Sequence, residues 1–239
     1  MRLILLILLI LFISILIFYL RKYIHEYSKL QNKECRVNLQ SDFDVFEVPE
    51  FLTKEECQYL IELSKDKLKP STIYIDNGTS DMTVNKDKRK SESCRLKDSD
   101  EVVKNISDKI RILTKTNYNI HEDLEVIKYK PGGYATPHFD TCHGSKEFCE
   151  KVNGNLGPRW VTVILYLNDS YTGGETFFPR INKMIKPETG KALIFYNINP
   201  DTSVIEESYH QGLKVTQGEK WLANKWIRLN EIEQVNHVD

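Results

Sequence analysis

Neither charge predominates in these 239 residues: 33 Lys and Arg stand against 34 Asp and Glu, a formal net charge of -1. So near-neutral a balance gives no reason to expect nucleic acid as a partner. Single-sign tails are also missing, with Lys and Glu interleaved as on a solvated globular surface. No internal repeat or low-complexity tract appears, which excludes solenoids and fibrous arrays. Cysteine is scarce and odd in number, five in all, so at least one thiol is unpaired within the chain. Cys142 and Cys149 are close enough in sequence to bridge.

What the chain does have is one long apolar run. From Leu3 to Leu20 only Ser14 is polar. As a helix this run spans about 27 Å, enough for a thin bilayer core. A cleaved signal peptide has a shorter apolar region and small residues at its exit. Here the exit reads Phe18-Tyr19-Leu20-Arg21-Lys22, so an uncleaved signal-anchor over 1–22, membrane-bound through residues 3–20, is expected. Arg2 on one side and Arg21 and Lys22 on the other leave the positive-inside rule nearly silent on orientation. Three N-x-S/T sequons, at Asn77, Asn105 and Asn168, together with the cysteines suit a glycoprotein. The expected setting is a single-pass protein of the endoplasmic reticulum with a lumenal domain.

A polar stalk follows over 23–42, then a folded domain over 43–230 and a tail over 231–239. Thr53-Lys54-Glu55-Glu56 has the form of a capping box, opening an amphipathic helix to about Lys65. The polar stretch Asp76–Lys90 reads as a loop, a candidate lid. A second helix starts near Asp100, with Val102, Val103, Ile106, Ile110 and Leu113 at helical spacing. Beyond Asp123 short strands take over: 124–129, 161–167, 176–178, 192–196 and 221–228. Helices first and many strands later predict an α+β domain around a β-sandwich or barrel.

Within the strand region stands His138-Phe139-Asp140. Residues two apart on a strand share a face, and imidazole plus carboxylate make two-thirds of a 2-His-1-carboxylate facial triad. Alone, H-x-D is commonplace and usually a pair of surface residues. A third ligand must come from elsewhere. His143 sits in the expected loop 142–151, His25 and His237 lie outside the core, and His121 precedes a strand, which leaves His210. Lys220 follows ten residues later. A 2-oxo acid chelating iron needs its far carboxylate neutralised, and a lysine does this; a solvent-exposed turn lysine is the plainer reading.

The ordered motifs make the match specific. They are Val126 through Pro131-Gly132-Gly133 to Asp140, Arg159 to Asn168, Gly173-Gly-Glu-Thr-Phe-Phe-Pro179, Pro187 to Phe195, and His210 through Gly218-Glu-Lys-Trp to Trp226. Over roughly Phe43 to Arg228 the chain resembles a prolyl 4-hydroxylase catalytic domain, one of the 2-oxoglutarate- and iron-dependent dioxygenases. The resemblance implies a double-stranded β-helix (jelly-roll) core with supporting N-terminal helices. It implies iron(II) on His138, Asp140 and His210, and 2-oxoglutarate held by Lys220 with Tyr129, Thr162 and Trp226 nearby. It places Arg159 and Tyr134 near a peptide. Implied as well are O2 as co-substrate, L-ascorbate as reductant, and a proline-containing peptide or protein partner, collagen-like sequences included, hydroxylated to 4-hydroxyproline while 2-oxoglutarate yields succinate and CO2. One position departs: many members carry tyrosine three residues before the first iron histidine, where this chain has Ala135 and places Tyr134 one earlier. That departure keeps lysine or another residue open as target. A membrane-tethered binding module without turnover is the reading from a different class.

Overall fold

Arg159–Tyr166 and Ala192–Tyr196 carry buried apolar residues on both faces, because both faces of their sheet are covered. Val161, Val163, Leu165, Ala192 and Ile194 join one core cluster, while Ile164, Tyr166, Leu193 and Phe195 join a second. The computed structural model describes residues 43–75 and 82–230, with isolated positions 15, 17 and 21. The expected anchor, stalk and tail lie outside these residues, apart from the three isolated positions. Among the described residues no helix is long and apolar enough to cross a membrane.

Strands are numbered in chain order. The larger sheet runs β1 (Val45–Val48), β13 (Ala192–Tyr196), β9 (Arg159–Tyr166), β16 (Lys220–Arg228), β7 (Leu124–Tyr129), β6 (Glu92–Leu96), β2 (Lys69–Pro70). The smaller runs β12 (Lys183–Ile185), β11 (Thr176–Phe178), β14 (His210–Gly212), β8 (Tyr134–His138), β5 (Arg89–Lys90). Two short pairs complete the set: β3 (Ile73–Tyr74) with β4 (Met82–Thr83), and β10 (Thr172–Gly173) with β15 (Val215–Gln217). The result is a largely β core with few helices, consistent with a jelly roll.

Helices α1 (Lys54–Ser64) and α2 (Glu101–Thr114) cover the outer face of the larger sheet, where Leu60, Ile106 and Ile110 are fully buried. The start of α1 follows the expected chemistry. Thr53 Oγ1 accepts from Glu56 N at 3.1 Å and Thr53 N donates to Glu56 Oε2 at 2.9 Å, the reciprocal capping box. Asp100 Oδ1 accepts from Val102 N and Val103 N.

Two features differ from the sequence expectation. The expected loop 142–151 contains a third helix, α3 (Lys146–Asn153), capped by Ser145 Oγ, which accepts from Phe148 N at 3.3 Å. Phe148 is buried and a Cys142–Cys149 disulfide closes the turn, so packing and a cross-link compensate for a polar helix. The expected loop 76–90 includes β4 and β5, whose Arg89 pairs with Ala135. These polar strands exist because a partner strand supplies hydrogen bonds, a signal local periodicity does not carry.

Asn168 serves the fold directly. Its Nδ2 donates to Glu219 O at 2.8 Å and its Oδ1 accepts from Trp221 N at 2.8 Å, so this sequon asparagine latches two loops.

Candidate metal centre

Strands β8 and β14 run antiparallel, and their pairing sets His138 opposite His210. Gly212 pairs with Ala135, so three steps on β8 answer two on β14. Such a bulge turns Ala135 and His138 to the same side, and both line one cavity. Asp140 sits two residues past His138, just beyond the strand end. One ligand atom from each of His138, Asp140 and His210 lies within 4.8 Å of the other two. His138 Nε2 is 3.7 Å from Asp140 Oδ1, and His210 Nε2 is 3.8 Å from Asp140 Oδ2.

The imidazoles are oriented for a metal. His138 Nδ1 lies 2.7 Å from Thr136 O and His210 Nδ1 lies 2.9 Å from Ser208 O. A carbonyl only accepts, so each Nδ1 carries the proton and each Nε2 lone pair faces Asp140. Removal from bulk water and the neighbouring His210 hold His138 below the usual imidazole value, which favours the neutral, ligating form. Burial by itself would raise the Asp140 carboxyl. The opposing pull of His210, His138 and Arg159, with a hydrogen bond from Thr162, brings it down to about 2. Thr162 Oγ1 donates to Asp140 Oδ2 at 2.8 Å and accepts from Asn197 Nδ2 at 2.9 Å. Sequence reading missed Asn197, which carries no local signal and is brought up by the loop after β13.

From this centre a cavity of about 620 Å³ extends past Tyr129, Ala135 and Gly212 to Lys220. Lys220 is 2% exposed. Its Nζ donates to Gly174 O at 2.6 Å and lies 5.2 Å from the centre of the Tyr129 ring. No carboxylate of the described residues is within ion-pair distance, and burial lowers the ammonium to about 8, against a weaker opposing pull from Glu175. Gly174 has φ +73°, and a Cβ there would stand 2.9 Å from Val215 Cγ2 and 3.2 Å from Lys220 Cδ. Only glycine lets this carbonyl approach the lysine. A buried ammonium facing a cavity, with one backbone acceptor, fits an incoming carboxylate.

Residues 124–228 match the model of the 2OG-Fe(II) oxygenase superfamily. Arabidopsis thaliana prolyl 4-hydroxylase 13 is 33% identical over 200 residues, covering 77% of this chain and 70% of that protein. The chain belongs to the prolyl 4-hydroxylase family. Among solved structures, the viral collagen prolyl hydroxylase of Paramecium bursaria Chlorella virus-1, in its 2OG complex, is 30% identical with a TM-score of 0.60, covering 77% of this chain and 95% of that one. A Trichoplax adhaerens prolyl hydroxylase bound to a hypoxia inducible factor peptide fragment shares the fold, with a TM-score of 0.58 at 17% identity over 86% of this chain and 92% of that one.

Membership makes the chain an oxidoreductase of the dioxygenase type, working with iron(II), 2-oxoglutarate and O2. The donors present fit both groups: two imidazoles and an ionised carboxylate converge for the metal, and Lys220 awaits a carboxylate. The remaining expected residues fall in several places. Tyr129 and Trp226 line the cavity. Thr162 lies behind Asp140 and touches the ligand carboxylate, away from the cavity wall. Arg159 is largely buried; its Nε and Nη2 donate to Glu122 at 2.7 and 2.9 Å, and its guanidinium lies 3.6 Å from the Trp226 ring centre. Tyr134 turns from the cavity, its hydroxyl donating to Lys86 O at 3.1 Å, because the bulge gives the inward position to Ala135. His143, the competing histidine, stacks on Phe139 at 4.7 Å outside the ligand cluster.

Proposed function

We propose that the chain hydroxylates peptidyl proline to 4-hydroxyproline, coupled to conversion of 2-oxoglutarate into succinate and CO2. The observation carrying this is one cavity holding a three-ligand centre at one end and a buried lysine without a carboxylate at the other. The relatives' names supply the substrate. Bound iron(II), O2 and 2-oxoglutarate would provide oxidising power for an unactivated C–H bond, with L-ascorbate keeping the iron reduced.

The chain's own residues orient the reactants and exclude water. His138, Asp140 and His210 supply three protein ligands and leave other coordination positions open. Lys220, over Tyr129, would hold the distal carboxylate. The β3–β4 hairpin contributes Tyr74 and Met82 to the cavity lining, both well exposed, as expected of a lid that acts when a peptide enters. Ala135 on the wall favours a second reading, the same chemistry on lysine or another side chain, since the residue removes bulk where many relatives carry tyrosine.

One incubation decides among these readings. The chain with iron(II), 2-oxoglutarate, ascorbate and proline-rich peptides, collagen-like repeats included, is expected to release succinate and add sixteen daltons to proline. The same gain on lysine would replace the substrate, and bound iron without turnover on any peptide would leave a binding module.

We also infer that residues 3–20 anchor the protein in the endoplasmic reticulum with the catalytic domain in the lumen. The apolar run and a disulfide beside the site support this. Microsomes should retain the protein through carbonate extraction and shield it from added protease. Release by carbonate, or digestion of the domain in sealed vesicles, would refute it.

A further inference from the structure

Three guanidinium groups converge on one carboxylate at the Asp140 end of the cavity. Arg159 binds Glu122 through two nitrogens, Arg228 Nε donates to Glu122 Oε1 at 2.6 Å, and Arg95 Nη2 lies 3.9 Å from Glu122 Oε2. The three arginines face the cavity and Glu122 sits behind them, its side chain 9% exposed. Elsewhere on the wall Arg89 has its own partner in Glu125. One carboxylate cannot balance three cations, so a surplus of positive charge faces the substrate space. The metal centre does not absorb it: iron(II), Asp140, the 2-oxoglutarate dianion and Lys220 cancel among themselves.

Unmatched donors lie alongside. Trp226 Nε1, under Arg159, is buried with no hydrogen-bond partner, and so is Thr141 Oγ1; both residues line the cavity. Arg95 keeps its side chain 45% exposed on a single long contact, so its donors remain available. Surplus cations beside unused donors suit a ligand that only accepts, and an ionised carboxylate is such a group. Arg159 Nη1 is 3.4 Å from the backbone oxygen of Asp140, so the cluster begins beside a metal ligand. An extended peptide advances about 3.3 Å per residue, which puts the matching group roughly one or two residues from the target.

We propose that Arg95, Arg159 and Arg228 form a specificity subsite that takes the side chain of an aspartate or glutamate next to the hydroxylated residue. This rests on the reading that the substrate is a peptide. It makes the natural substrate acidic around its target, a class that neutral collagen-like repeats do not represent.

The test is binding, which separates it from turnover. The full chain is loaded anaerobically with iron(II) and 2-oxoglutarate and titrated with proline peptides that differ only in a flanking Glu, Gln or Lys. The Glu peptide should bind roughly three- to tenfold tighter than the Gln peptide, with the Lys peptide weakest and the spread shrinking in high salt. Arg95→Gln should lower the Glu:Gln ratio at least twofold, and Arg95→Glu, which cancels the surplus charge, should bring it to one or below. Because Arg95 is half exposed, these variants should fold, which retained iron and 2-oxoglutarate binding would verify. Equal affinities in the unmodified chain, a Glu preference left undiminished by both substitutions, or no binding of any peptide overturns the subsite. Acid-selective binding without a sixteen-dalton gain on proline would sink the prolyl reading and leave the subsite standing.

Discussion

Replacing His138 or His210 with alanine is expected to weaken iron(II) binding by on the order of a few hundred-fold and to abolish turnover at ordinary iron concentrations. A four-ligand structural zinc site is worth roughly 10–16 kcal/mol, or about 3 kcal/mol or more per ligand, and this centre has three protein ligands. Metal titration followed by tryptophan fluorescence or calorimetry reads the loss directly. The fold should survive, because the interior between the sheets is built from Tyr166, Phe178, Phe195 and their neighbours. A thermal midpoint of the metal-free variant close to that of the metal-free parent would show this. Thr162→Val should do less, about ten- to a hundredfold, since it leaves all three ligands and removes the hydrogen bond that orients Asp140 together with the one from Asn197 Nδ2. Full activity in His138→Ala, at limiting iron, would mean that another side chain holds the metal.

The second large effect is expected at Lys220. Lys220→Met should raise the 2-oxoglutarate requirement by a hundredfold or more, because an unpaired carboxylate buried at that end of the cavity costs roughly 3–5 kcal/mol. Iron affinity measured without 2-oxoglutarate should hardly move, which separates this loss from damage to the centre. Lys220→Arg keeps the charge but replaces a compact ammonium, donating to Gly174 O at 2.6 Å, with a longer planar guanidinium. The two heads are not interchangeable in geometry, so rescue should be only partial.

The same lysine predicts a pH dependence. Its folded value is lowered to about 8, chiefly by burial, and the protonated form is the one that binds a carboxylate. Below pH 8 the free protein already holds the proton. Above it, each unit should cost about tenfold in 2-oxoglutarate affinity, until another group limits. A flat affinity between pH 7 and 9.5 would show that the carboxylate is met elsewhere.

Much of this site was legible in the linear chain. Apolar runs marked β7, β9, β13 and β16, a capping box marked α1 and helical apolar spacing marked α2, because those signals are local and act through backbone geometry. Lys220 and the three ligands emerged from residue chemistry at ordered positions. The helix α3 did not, since its stability rests on a disulfide and on burial of Phe148. Nor did β5, a polar strand that exists through its pairing with β8.

The sequence alone determined which residue types were available for iron and 2-oxoglutarate, and in which order. Tertiary structure decided which of them meet. Pairing of β14 with β8 brings His210 to His138 across 72 residues, and the bulge opposite it turns Ala135 inward and Tyr134 away. Three strands distant in sequence bring three arginines to Glu122, a surplus of charge that no local window reveals. The physical reason is common to all three. Register and sheet order set side-chain direction and neighbours between distant segments, whereas propensity and spacing act only within one.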